Sequence, residues 1–335
     1  MSTHYIGLKL GSIHTTIYRS GNGIVLKEAS LIAMPTNPKN KDVYAVGDEA
    51  KMIKDRLPQN VIVYSPIVNS TIQYEELAIP MLKYFMKKVF PNRTIGQNIK
   101  ALLCTPVGIT PEERKSFEIT CFKAGISDVV LIPDVLCYAV GNGIDIQSEK
   151  AYMIVNMGGN VSSIAIIANC SVLQGYNISI GGAMIASAIK KYILENYGIA
   201  ITAEQAYQIK YEICSLFENY QATINIDGYN PTKNQTESIT ISSKELYPII
   251  HYYYSKIADV INSVIKSTST QIINDIAENG IYYYGSLSDI TGLDKFMQEK
   301  TSFESKTTIN DQVHIIGLGE LIKYPQLLHK IMKNL

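Results

Sequence analysis

Leu8-Lys9-Leu10-Gly11-Ser12 and Val155-Asn156-Met157-Gly158-Gly159 carry one pattern twice, about half a chain apart. Each is an apolar strand running into a glycine turn. β-Type residues resume after both turns, at Thr15-Thr16-Ile17-Tyr18 and at Ser162 to Ala168. Each heads a β-rich stretch with helices behind it. A repeat of this kind predicts two related α/β halves, each offering a glycine turn to a cleft. Glycine admits close approach, and successive backbone N–H groups in such a turn can cradle phosphate oxygens. A tight hairpin with no ligand explains either turn alone; the pairing favours the phosphate reading.

Working outward, Gly21-Asn22-Gly23 is a hairpin signal, and Ile24 to Met34 reads as continuing strand. Pro35 to Asp42 is polar and reads as an exposed loop. Glu75 to Val89 has helical spacing of apolar residues. Thr110-Pro111-Glu112-Glu113 is a helix start with a Thr cap, and that helix should end at Gly125. Asp128 to Ile132 reads as strand and Asp134 to Asn142 as helix. In the second half, Gly181-Gly182 opens a helix to about Tyr197, and Thr202 to Leu216 is helical. Gln221 to Ile226 and Ser238 to Ile241 read as a hairpin turning at Asp227-Gly228. Ser242 to Thr268 is a long helix, Gly280 to Tyr284 a strand, and Gly292 begins a further helix.

The 335 residues hold 30 Lys+Arg against 30 Asp+Glu, so net charge is zero, which argues against a bulk nucleic-acid or membrane coat. Hydrophobic residues are 46% and charged residues 18%, as expected of a folded chain with a large core. The five cysteines are scattered without CxxC spacing, so buried free thiols are expected, and neither zinc nor disulfides. The N-terminus lacks the basic and apolar regions of a signal peptide, and no apolar run is long enough to span a bilayer. The expected location is the cytoplasm.

Several segments in order, Ile6-Gly7-Leu8-Lys9-Leu10-Gly11-Ser12, Ala45-Val46-Gly47-Asp48-Glu49-Ala50, Thr105-Pro106-Val107-Gly108-Ile109-Thr110, Ile154-Val155-Asn156-Met157-Gly158-Gly159 and Thr291-Gly292-Leu293-Asp294, give the chain its likeness. It resembles the actin-like ATPase superfamily and, within it, the bacterial MreB filament proteins. The resemblance implies an α/β actin-like fold of two lobes, each with a β-sheet core flanked by helices, and a nucleotide cleft between them. Lobe I would be residues 1–144 plus about 318–335, with a small subdomain inserted at about 32–72. Lobe II would be 145–317, with its insertion at about 183–243. It further implies ATP or ADP as ligand, head-to-tail filaments in antiparallel pairs, paralogues as further partners, and a cytoskeletal location at the inner face of the membrane.

Carried over residue by residue, the phosphate positions are Lys9, Gly11, Ser12, Ile13, His14, Gly158, Gly159 and Asn160. The adenosine positions are Gly181, Gly182, Tyr207, Lys210, Gly285, Ser286 and Leu287. The chain departs from the pattern where the chemistry is. Lys9 and Asn156 stand where the family has Asp, and both positions bear on Mg²⁺. An ammonium repels Mg²⁺ and an amide is a poor substitute for a carboxylate. Together the two changes make the cleft three charge units more positive than the family pattern. Asp134 aligns with the water-orienting Glu; it is shorter by one methylene, roughly 1–1.5 Å, and a displacement of that size can lower a rate ~100-fold. A helix cap is the other reading of Asp134. Leu287 replaces a glycine and is expected to narrow the base pocket, and Tyr207-Gln208 replaces two acids. Phe90 and Ile95, beside Lys87, Lys88 and Arg93, align with a membrane-inserting loop; folding of Phe90 onto the core is the alternative. A filament subunit with weak or lost hydrolysis is therefore expected. A slow working ATPase acting through Asp134 and a nucleotide-free scaffold for other filament proteins are the other readings.

Overall fold

The computed structural model describes residues 2–36, 42–54, 58–92, 94, 96–310 and 312–335. Contacts divide the chain into two units. The first comprises Met1–Glu149, Ile167–Tyr176 and Gln312–Leu335; the second comprises Lys150–Ile166 and Asn177–Asp311.

In chain order the elements begin β1 (Thr3–Leu10), β2 (His14–Arg19), β3 (Gly23–Ala29), β4 (Ile32–Pro35), β5 (Ala45–Val46), α1 (Asp48–Ile53), β6 (Val61–Tyr64), β7 (Ile67–Val68) and β8 (Thr71–Ile72). They continue α2 (Glu75–Val89), β9 (Asn98–Thr105), α3 (Pro111–Lys123), β10 (Asp128–Pro133) and α4 (Asp134–Gly141). Then come β11 (Tyr152–Met157), β12 (Ser162–Ala168), β13 (Ser171–Ile178), α5 (Gly182–Tyr197), α6 (Ala203–Ile213), β14 (Thr223–Asn230), β15 (Gln235–Ser242) and α7 (Ser243–Lys266). The chain closes with α8 (Thr270–Asn279), β16 (Ile281–Tyr284), α9 (Leu293–Thr301), β17 (Ser305–Thr308), α10 (Val313–Lys323) and α11 (Pro325–Met332).

The first sheet runs β10-β9-β1-β2-β3 and the second β13-β12-β11-β16-β17. Each therefore has its earliest strand at its centre, the next two strands on one side and two later strands on the other. β1 is parallel to β9 and antiparallel to β2, and β11 is parallel to β16. The repeat read at the two glycine turns is thus a repeat of whole sheets.

In the first unit, Ile6, Leu8, Ile17 and Leu103 of the sheet share a core with Met81, Phe85 and Phe117 of α2 and α3. α3 starts as its residues dictate: Thr110 Oγ1 accepts from the Glu113 N–H and Glu113 returns a bond to the Thr110 N–H. α10 lies close against the sheet, where bare glycine backbone replaces side chains. A Cβ on Gly7 would sit 2.9 Å from Leu318 Cβ, and one on Gly319 would sit 2.6 Å from the Tyr18 ring. α4 and α10 meet in the same way: a Cβ on Gly141 would lie 2.0 Å from the Val313 carbonyl oxygen, and one on Gly317 1.8 Å from that of Cys137. Gln312–Leu335, which includes α10, belongs to the first unit. Ile167–Tyr176 also falls in the first unit.

The strand read over Ile24 to Met34 is two strands in different sheets. It breaks at Ser30, whose N–H donates to the Ile13 carbonyl at 2.9 Å and whose hydroxyl meets that of Thr15 at 2.9 Å. Within the loop read at Pro35 to Asp42, residues 37–41 lie outside the described ones.

In the second unit the hairpin expected to turn at Asp227-Gly228 turns instead at 231–234, and Gly228 lies within β14, opposite Glu237. A Cβ there would lie 2.3 Å from Ile199 Cγ2. The glycine makes room for a neighbour, not for a turn. α6 ends at Ile213, short of Leu216, because Cys214 is extended. α8 was not read from the sequence.

Candidate functional site

The two glycine turns are built alike. The Gly11 N–H donates to the His14 carbonyl at 3.1 Å, and the Gly158 N–H donates to the Val161 carbonyl at 3.1 Å. A Cβ would lie 2.8 Å from the first acceptor and 2.5 Å from the second, so both positions need glycine on steric grounds. Lys9 and Asn156 each stand two residues before these glycines, which makes them equivalent in three dimensions as in sequence. The closing bond commits the Gly11 and Gly158 N–H groups to the turn, so an anion cradle would rest on the residues that follow.

In the first unit Ser12 Oγ accepts the Ser70 N–H at 2.8 Å, which ties the turn to the β7–β8 connection. Ile13 and His14 are exposed. Asp134 is buried, as the first residue of α4; the cap position is Pro133 and there is no side-chain cap bond. The cap reading of Asp134 is therefore corrected. Lys9 is the register partner of Cys104 on β9. The buried Cys137 thiol is pushed well up, first by burial, then by a hydrogen bond with Cys104 and by the charge of Asp134, with Lys9 opposing. One buried thiol thus feels the charges of both Lys9 and Asp134. Lys9 also helps burial hold His314 well below the usual imidazole range.

In the second unit the other half of the residues converges. The Gly182 and Ala183 N–H groups at the head of α5 donate to the Gly158 and Gly159 carbonyls at 3.2 and 2.7 Å. A Cβ on Gly181 would lie 2.4 Å from the Asn160 carbonyl carbon. Gly181 and Gly182 therefore buttress the second turn as well as facing Tyr207 and Lys210, which a Cβ on Gly182 would approach to 3.5 and 3.6 Å. Gly285, with φ 105°, crosses the same place: its Cβ would lie 2.7 Å from Asn156 Oδ1. The Leu287 N–H donates to the Met157 carbonyl at 2.9 Å. The Leu287 side chain is buried and its carbonyl accepts the Tyr254 hydroxyl at 2.7 Å.

Lys210 is 5% exposed. Its ammonium lies 3.9 Å from the Tyr211 ring centroid, 5.8 Å from that of Tyr207, and donates to the Ser286 carbonyl at 3.3 Å. Burial lowers its pKa to about 8, with Cys214 and Asp289 acting the other way. Among the described residues no group of three or more His, Cys, Asp or Glu could hold a metal ion, and no helix is long and apolar enough to cross a membrane.

The inserting role given to Phe90 is corrected. Phe90 is 7% exposed, packs in the first unit's core against His4 at 5.5 Å, and has the Arg19 guanidinium 4.8 Å above its ring. Its ring is already covered. Ile95 and Arg93 lie outside the described residues.

The family model described as MreB/Mbl protein matches residues 3–330. The chain belongs to the MreB/Mbl family. Its similarity to the cell shape-determining protein MreB of Escherichia coli K12 is 29% identity over 304 residues, 90% of this chain and 88% of that protein. Against the cell shape-determining protein Mbl of Bacillus subtilis it is 28% over 296 residues, 88% of each. Among solved structures, MreB5 of Spiroplasma citri bound to ADP superposes with a TM-score of 0.88 at 26% identity, covering 99% of both chains. A MamK double helical filament, at 14% identity and a TM-score of 0.81, shares the fold over 96% of this chain and 99% of its own. The architecture of this MreB/Mbl chain is the actin-like one, as the resemblance implied.

Proposed function

We propose that this chain is a subunit of an MreB-type cytoskeletal filament serving cell shape or motility. It binds an adenine nucleotide through its glycine turns, and its hydrolysis of that nucleotide is weak or lost. The observation that carries this reading is the pair of matched turns with Lys9 and Asn156 at their equivalent positions. The backbone frame for an anion is kept twice, while neither position offers Mg²⁺ a carboxylate. The Spiroplasma citri relative bound to ADP, and its form bound to AMPPNP, support the nucleotide part.

In this scheme Lys9 supplies positive charge to the phosphates in place of the metal. Asn156, beside Gly158 and Gly285, offers an amide, and Tyr207 and Lys210 lie on the adenosine side. Asp134 is the residue left to orient water. A lone Lys9–Asp134 ion pair without nucleotide is the competing arrangement. The subunit joins copies of itself head to tail, with related MreB proteins and the inner face of the membrane as further partners.

Titration of a fluorescent ATP analogue in Mg²⁺ and in EDTA tests this. Affinities within about threefold of each other are expected, with little phosphate released from a polymerised sample. Strongly Mg²⁺-dependent binding with steady phosphate release would overturn it in favour of a working slow ATPase. Sedimentation at rising concentration tests assembly, and a chain that stays monomeric would be the nucleotide-free scaffold.

A further inference from the structure

The loop after α6, the start of α7 and the start of α9 enclose an open cavity of about 520 Å³, wholly within the second unit. Phe217, Tyr220, Tyr247 and Phe296 supply aromatic rings to its lining. His251, outside the lining, packs against Tyr247 and Phe296, with centroids 5.5 and 5.4 Å away. Phe217 lies against the bare backbone of Gly292, where a Cβ would be 3.2–3.3 Å from three ring carbons, and Gly292 has φ 91°. The ring is held in place, yet remains 43% exposed. Two carboxylates, Glu218 and Glu299, also line the cavity.

The chain already contains a model of what this surface recognises. The Lys295 ammonium lies 5.9 Å from the Phe217 centroid and 4.0 Å from Glu299 Oε1. That is an alkylammonium held by a ring face and a carboxylate, on a side chain that is 69% exposed and hence exchangeable. With Lys295 balancing Glu299, Glu218 remains as negative charge in the lining. Burial, then the charges of these two carboxylates, raise the pKa of Tyr247 in the same lining.

We propose that this cavity binds a linear aliphatic polyamine, with the aromatic rings taking the methylene stem and Glu218 and Glu299 taking the ammonium groups. Lys295 is its built-in competitor. Aromatic rings beside separate anionic groups suit a flexible cation with more than one charge better than a metal ion, which needs converging oxygens. The site is independent of the nucleotide reading.

Calorimetric titration of spermidine into the full chain at about 0.15 M salt tests it, since screening suppresses diffuse attraction. One site per chain is expected. Phe217→Ala, which leaves the charge unchanged, should weaken binding about tenfold. Glu218→Gln should weaken it similarly, and Lys295→Ala should tighten it severalfold. Lys191→Ala, an exposed lysine paired with Glu195 on α5, should change nothing. Glu218 and Lys295 are exposed, so their variants keep the test open should Phe217→Ala misfold. Multiple weak sites, wild-type affinity in a folded Phe217→Ala, or weaker binding by Lys295→Ala would overturn the proposal. So would binding of a lysine-rich peptide where spermidine does not bind.

Discussion

Lys210 is a lysine whose chemistry is altered by its surroundings. Its folded pKa of about 8 lies below the ordinary lysine value of 10.5 because burial opposes its charge. Below pH 8 both folded and unfolded chains carry the proton and the fold bears the full burial penalty. Between pH 8 and 10.5 the unfolded chain binds more protons, so this group's contribution raises stability as pH rises. Urea unfolding of wild type and Lys210→Met at pH 7 and pH 10 should show the difference moving toward wild type at the higher pH; a constant difference would refute the lowered value. Lys9 carries a second prediction. Lys9→Asp should restore a carboxylate at the first turn, and nucleotide binding should then be about tenfold tighter in Mg²⁺ than in EDTA. The equivalence of Lys9 and Asn156 was legible from sequence because a glycine that closes a turn on its own backbone fixes the register around it. Phe90 kept two readings open because an apolar residue between lysines and a proline has the same composition whether it faces lipid or turns inward beneath Arg19.

At the scale of elements, the α4–α10 crossing makes a prediction of unusual sign. Glycine to alanine within a helix ordinarily stabilises by about 1 kcal/mol. Gly317→Ala should instead destabilise by about 1–3 kcal/mol, because its methyl group would overlap the Cys137 carbonyl. A lower urea midpoint with an unchanged slope would register it. Thr110→Ala should cost about 1 kcal/mol through loss of the capping box on α3. That box, with Pro111 behind it, was readable because capping is local. The Asp227-Gly228 turn was not, because a glycine needed for approach to Ile199 writes the same letters as a glycine needed for a bend. The cavity beneath Phe217 was likewise hidden: residues 217, 247, 292 and 296 share no spacing, and only the fold assembles them.

At the scale of the molecule, the two sheets repeat one strand order around β1 and β11. The sequence disclosed this duplication through its two glycine turns. A backbone-only turn explains how that can persist. Its shape depends on one glycine and one carbonyl, so the neighbouring residues can exchange carboxylate for ammonium or amide without altering it. Loss of hydrolysis with retention of assembly is the expected outcome, and sedimentation with and without nucleotide, beside phosphate release, checks it.

All five cysteines are buried: Cys104, Cys121, Cys137 and Cys170 in the first unit and Cys214 in the second. Burial pushes Cys121 and Cys214 up to about 12, so neither presents a thiolate near neutral pH. An alkylating reagent therefore reacts at these positions only while the surrounding structure is open, and the folded chain contributes no background signal. The cysteines amount to a set of internal clocks. Pulsed alkylation followed by peptide mass analysis should time the opening of the second unit at Cys214, separately from the first unit at the other four. Added nucleotide or polyamine should slow each clock in proportion to how firmly it holds the unit that carries it.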